Sequence, residues 1–115
     1  MLKISEELIL FLATHSDFTD AMGIKVFPIV APEGTNFPFT TYRINEQSNL
    51  SYDGTSASVQ LYFWFGPKDY KKAVDFVDKM KPIIENKQNY EWQNSTVDFI
   101  EDGFSFVGII NLSTN

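Results

Sequence analysis

The chain contains no cysteine and a single histidine in 115 residues. Without thiols there can be no disulfide, thiolate metal site or cysteine nucleophile, and the composition agrees with a reducing compartment. Nucleophilic catalysis of the Ser-His-Asp kind needs an imidazole to take the proton, and the only one, His15, falls where the first helical pattern ends, a position that suits a partner for the helix dipole. The glycine patterns that cradle phosphates or dinucleotides are missing, as is a GxSxG elbow. Glu33, Asp53, Glu101 and Asp102 are the acids at expected loops; their spacing matches no cation loop, and Asp53 and Asp102 each precede a glycine, as turn residues do. The sequence therefore points away from an enzyme, and no cofactor or metal is expected.

Long apolar runs are also lacking. The longest covers residues 8–13, far short of the roughly 18 residues a membrane span requires, so no membrane partner is expected. Residues 1–7 turn acidic where a secretion signal would stay apolar, which reads as mature sequence kept in the cytoplasm of the cell that makes it.

Basic charge is scarce and unevenly placed. The net charge is −6: residues 1–66 carry seven acids and three bases, residues 67–88 four acids and six bases, and residues 89–115 four acids and no base. An acidic chain with one small basic excess lacks the phosphate neutralisation that drives DNA affinity, which argues against free-standing nucleic-acid binding. The basic segment fits either a solvated helix face of alternating sign or a contact with an acidic partner.

What the chain has in quantity is apolar and aromatic volume. Hydrophobic residues make up 43%, with 11 Phe, 5 Tyr and 2 Trp, enough for one packed domain over residues 1–115. Ser5, Glu6 and Glu7 followed by Leu8, Ile9, Leu12 and Ala13 predict a helix over residues 5–15 with Ser5 as N-cap, and one further turn fits residues 18–22 before Gly23. Residues 24–28 read as a short strand and residues 29–38, with Pro32, Gly34 and Pro38, as an ordered loop. Residues 39–45 and 56–66 read as antiparallel strands, the second with Val59, Leu61, Phe63 and Phe65 facing one way and Gln60, Tyr62 and Trp64 the other. Between them, residues 46–55 form a hairpin too long for a two-residue turn.

After Gly66-Pro67, the positions Tyr70, Ala73, Val74, Val77, Met80 and Ile84 recur at helical spacing, with Pro82 expected to kink or separate the last turn. Residues 86–94 read as a polar exit, and residues 91–101 and 104–112 flank Asp102-Gly103, a strong hairpin signal. The expected fold is an α+β two-layer sandwich, an antiparallel sheet of about five strands with two helices, in the order αβββαββ. A second stripe on the long helix, Lys72, Phe76, Lys79 and Ile83, is either an exposed docking edge or a widening of the core face.

Taken in succession, Val26-Phe27-Pro28, Ala31-Pro32-Glu33-Gly34-Thr35, Pro38-Phe39-Thr40-Thr41-Tyr42, Tyr52-Asp53-Gly54 and Val59-Gln60-Leu61-Tyr62-Phe63-Trp64 resemble the small tail-completion proteins of long-tailed bacteriophages, a group that includes tail terminators and head-to-tail joining proteins. The resemblance spans about residues 5–84. It implies a non-enzymatic structural protein in the virion tail, assembled in the host cytoplasm, that forms a ring of six copies at the head-proximal end of the tail tube. There it would end tube growth and join tail to head. The implied partners are copies of itself, the tail tube protein and the head connector or head-completion protein, with DNA only as passing cargo.

By position, the loop with Pro32, Gly34 and Phe37 and the hairpin tip with Tyr52 and Asp53 are candidates for contact between subunits or with the tube. A ring needs two unlike patches on each copy, and the lysine edge at Lys72 and Lys79 would then face Glu101 or Asp102 of a neighbour. Surplus acids lining the opening would keep passing DNA from adhering. The alternative is a small intracellular binding module that forms homodimers through a sheet edge. An acidic metal-dependent enzyme is the third possibility.

Overall fold

A computed structural model describes residues 2–48 and 55–114. In chain order the elements are α1 (Leu2–Ala13), α2 (Ser16–Met22), β1 (Val26–Pro28), β2 (Phe39–Ser48), β3 (Thr55–Phe65), α3 (Tyr70–Glu85), β4 (Tyr90–Ile100) and β5 (Ser105–Thr114). The strands form one five-stranded sheet ordered β1-β2-β3-β5-β4, with the helices packed on one face. This is the expected α+β architecture of two layers.

The sheet is mixed where all strands were expected antiparallel. β2-β3, β3-β5 and β5-β4 are antiparallel, but β1 lies parallel to β2 with Val26 beside Thr40 and Pro28 beside Tyr42. The cause is the 29–38 connection, which carries the chain back along the sheet instead of folding it into a hairpin.

β3 supplies the centre of the core because its inward residues alternate without interruption. Ala57, Val59, Leu61, Phe63 and Phe65 are all buried, facing Ala73, Phe76, Val77, Met80 and Ile84 of α3, Leu8, Phe11 and Leu12 of α1, and Phe18 and Met22 of α2. Phe63 meets Phe76 edge-on at 4.9 Å and Phe18 at 6.4 Å between ring centroids, the arrangement the aromatic quadrupole favours. β5 brings Gly108 beside Phe63, and a Cβ there would stand 2.5 Å from Cγ2 of Val77. The missing side chain is what lets α3 approach the sheet.

Several boundaries differ from the expectation, among them the end of β2, which runs on to Ser48 into the expected hairpin. α1 begins at Leu2, so Ser5 is inside the helix and its hydroxyl meets the Tyr42 phenol on β2 instead of capping. That contact and half-buried Ile4 hold the first turn against the sheet, outweighing the local preference for a cap. The single turn expected near Phe18 is a seven-residue helix, α2, ended by Gly23 at φ 61°, a conformation glycine adopts freely. It makes three helices, one more than expected.

α3 runs without a break through Pro82 to Glu85, and the Pro82 carbonyl accepts from the Asn86 N–H at 3.0 Å. Pro82 and Asp78 are both exposed, so water can serve the Asp78 carbonyl that the proline leaves unpaired. β4 spans Tyr90–Ile100, within one residue of the expected 91–101, so of the expected polar exit only residues 86–89 lie outside it. Tyr90 and Trp92 pack toward the helices, with Tyr90 edge-on to Phe11 at 5.2 Å, which anchors the start of the strand.

Candidate interaction surfaces

The sheet face opposite the helices has none over it, and its side chains divide into two halves. Toward the end where β2 begins, Phe37, Phe39, Trp64 and Tyr62 form a ladder of stacked rings with centroids 5.6, 6.2 and 6.4 Å apart. Trp64 Nε1 donates to Thr41 Oγ1 at 2.9 Å, which fixes the indole plane and satisfies its one polar atom. Toward the other end the face is rich in amides. Asn111 Nδ2 donates to Asn94 Oδ1 at 2.7 Å and Gln93 Nε2 to Ser113 Oγ at 3.0 Å, with Arg43 exposed on β2.

The 29–38 loop lies against the aromatic half, leaving a groove of about 320 Å³ lined chiefly by apolar side chains of the loop and by Phe39 and Trp64. Lys25 Nζ ties the loop down by donating to the Asn36 carbonyl at 3.0 Å, and the Thr35 hydroxyl donates to the Pro32 carbonyl at 2.6 Å. Ile29 and Val30 at the loop's start are 63% and 73% exposed, and Phe104 in the β4-β5 turn is 69% exposed. Gly103 from the same turn and Ser105 at the start of β5 complete the groove. One end of the molecule thus gathers exposed apolar side chains from two separate loops, the kind of patch that marks a contact with another macromolecule.

Of the residues singled out from the sequence, Pro32, Gly34 and Phe37 line this groove, and Glu101 and Asp102 stand in the turn beside it, both exposed. Tyr52 and Asp53 lie outside the described residues. Sequence reasoning missed Ile29, Val30, Phe39, Trp64 and Phe104. A signal was present for one of them, since Trp64, like Tyr62, alternates with the buried residues of β3 and therefore puts a large ring on the face away from the helices.

The α3 edge is altered by its surroundings. Phe76 is 4% exposed and packed among Phe18, Phe63 and Phe65, and Ile83 is half-buried against the core, so these two widen the core face and offer little to a neighbour. Lys72 and Lys79 line a wide depression of about 480 Å³ together with Asp17, Asp20, Asp69 and Asp75. Lys72 Nζ stands 3.8 Å from Asp69. The acids of α2 and of α3 itself outnumber the lysines, so this edge is no basic patch for the acids of another copy.

His15 sits between α1 and α2, with Nδ1 2.9 Å from the Phe11 carbonyl in the last turn of α1, the dipole partnership expected of it. Tyr90 has its phenol pushed up from its ordinary pKa by burial and then by the Glu7 carboxylate; it stays protonated, and its contribution to stability is lost as pH rises through the alkaline range. Among the described residues no group of three or more His, Asp or Glu side chains is placed to hold a metal ion, and no helix is long and apolar enough to cross a membrane. No protein-family model matches the chain, and no curated protein aligns with it significantly.

Proposed function

We propose that the protein is a structural tail-completion component of a phage or prophage, which assembles as a ring, with six copies as the expected number, at the head-proximal end of the tail tube and joins tail to head. The observation that carries this is the apolar groove between the 29–38 loop and the bare sheet face, with exposed Ile29 and Val30 along it. The phage-like succession of sequence motifs runs through that loop, and the patch is a surface for packing against other protein chains. The partners are further copies, the tube protein and the head connector; DNA is cargo.

Electron microscopy of the concentrated protein, alone and with tail tubes, tests this directly. Closed rings, or caps on tube ends, are the expected outcome. A Val30→Asp, Phe37→Ser double variant should abolish them while keeping a native circular-dichroism spectrum. Undiminished assembly by that variant would remove the groove from the reading. Protein that neither closes into rings nor binds tubes at any concentration would overturn the function itself. The homodimer alternative draws on the outer edge of β4, which pairs with no strand among the described residues, and predicts discrete dimers in the same images.

A further inference from the structure

Three non-glycine residues among those described hold a positive φ: Asn89 at 74°, Ile29 at 64° and Phe104 at 45°. Asparagine takes that conformation readily. Isoleucine, branched at Cβ, and phenylalanine do not, and these two are also exposed, at 63% and 69%. Each combines a disfavoured backbone with an apolar side chain in water, and glycine or asparagine in its place would remove both costs. A turn built this way, against its local preference, presents the side chain for contact.

The two residues stand at opposite edges of the sheet. Phe104 lies in the β4-β5 turn, edge-on to Phe99 at 6.3 Å between ring centroids, and Glu101 and Asp102 precede it, both exposed. Its N–H donates to the Glu101 carbonyl at 3.2 Å, so the phenyl group and the two carboxylates share one tight turn. At the other edge Ile29 lines a hollow of about 310 Å³ together with Leu2 of α1, Pro28 of β1 and Ile44 of β2. Tyr42 also lines it, with its hydroxyl engaged by Ser5 and its carbonyl accepting from the Ile29 N–H at 2.8 Å. Among the described residues the one charged side chain lining the hollow is Arg43, which is exposed. Ile29 belongs to the groove on the bare face as well, so hollow and groove adjoin.

Charge and symmetry select the occupant. Residues 89–115 carry four acids and no base, so the β4-β5 turns of two copies repel each other, whereas an apolar recess with a base at its rim suits an acid-flanked phenyl group. Because turn and hollow lie at opposite edges, a copy that fills its neighbour's hollow leaves its own open to the next. That is the head-to-tail contact from which closed rings are built. No strand is added at either edge; side chains make the contact, and β1 keeps its place beside β2 as part of the wall.

We propose that the Phe104 side chain of one copy seats in the hollow between α1, β1 and β2 of a second copy, with Glu101 or Asp102 paired to Arg43. The proposal rests on the ring reading and names its seam.

A photo-cross-linking benzoylphenylalanine in place of Phe104 tests the contact, in concentrated protein and with tail tubes. Mixing isotope-labelled and unlabelled chains lets mass spectrometry locate links between copies. These should fall on residues 2–5, 28–29 or 42–44. Phe104→Asn should lower ring assembly by about tenfold or more while leaving the melting temperature unchanged or higher, because asparagine relieves the backbone. Arg43→Glu should lower assembly too, and Glu101→Lys with Asp102→Lys in the same chain should restore it. Rings with position 104 linked elsewhere, or undiminished by Phe104→Asn, would overturn this seam and leave the ring standing. A clear fall in melting temperature for Phe104→Asn would make the side chain part of the fold and overturn the seam as well. Discrete dimers linked turn to turn, or neither rings nor links, would overturn both the seam and the ring.

Discussion

On the helix side of β3, Val59, Leu61 and Phe63 have lost all but 1% of their exposure, whereas Gln60, Tyr62 and Trp64 on the bare side are half-buried with no helix above them. The first set is covered by elements distant in sequence. The second is covered by neighbours on the same surface, through ring stacking and the 29–38 loop. One side of the sheet spends its apolar area on folding; the other keeps some for contact with another molecule.

The strongest test of this contrast is Phe63→Ala, which opens a cavity among Phe18, Phe76 and Leu61 and should cost about 3–5 kcal/mol, read from denaturant midpoints. Gly108→Ala follows, at about 1–3 kcal/mol, because its methyl must displace Val77. Val77→Ala in the same chain should return part of that loss, identifying the clash as the cause. Thr40→Val should go the other way. The Thr40 hydroxyl is fully buried without a hydrogen-bond partner, so its removal should raise stability by about 1 kcal/mol. Ile109→Thr on the bare face should move the melting free energy by no more than about 0.5 kcal/mol, since it keeps a β-branched residue at a half-covered position. If Ile109→Thr cost as much as Phe63→Ala, the bare face would be a second core and the contrast would break.

Element identity was legible wherever one period dominated: the alternation through Val59, Leu61, Phe63 and Phe65, the helical stripe from Tyr70 to Ile84, and the turn at Asp102-Gly103. Tertiary contacts decided the departures. Ser5 lost its capping role to Tyr42, and β1 turned parallel because the 29–38 loop carries the chain back along the sheet before β2 begins. The candidate surface was legible in part. Pro32, Gly34 and Phe37 carry turn and loop signals that can be read in one dimension, but Gly103 joins them only through the β4-β5 turn, and the acids around Lys72 and Lys79 come from α2 as well as α3. No local pattern encodes those juxtapositions.

The brevity of β1 also bears on the order in which the molecule can come apart. β2, β3, β5 and β4 form a continuous antiparallel block with α3 already against it, whereas the first 28 residues reach the sheet through three strand residues and the underside of two helices. Within that leading piece the helices are locked in the core through Leu8, Leu12, Phe18 and Met22, so β1 is the part with least to hold it. Amides of β1 should exchange with solvent before those of β3 and β5, and opening there would lengthen the naked margin of β2 while the rest of the sheet stayed intact.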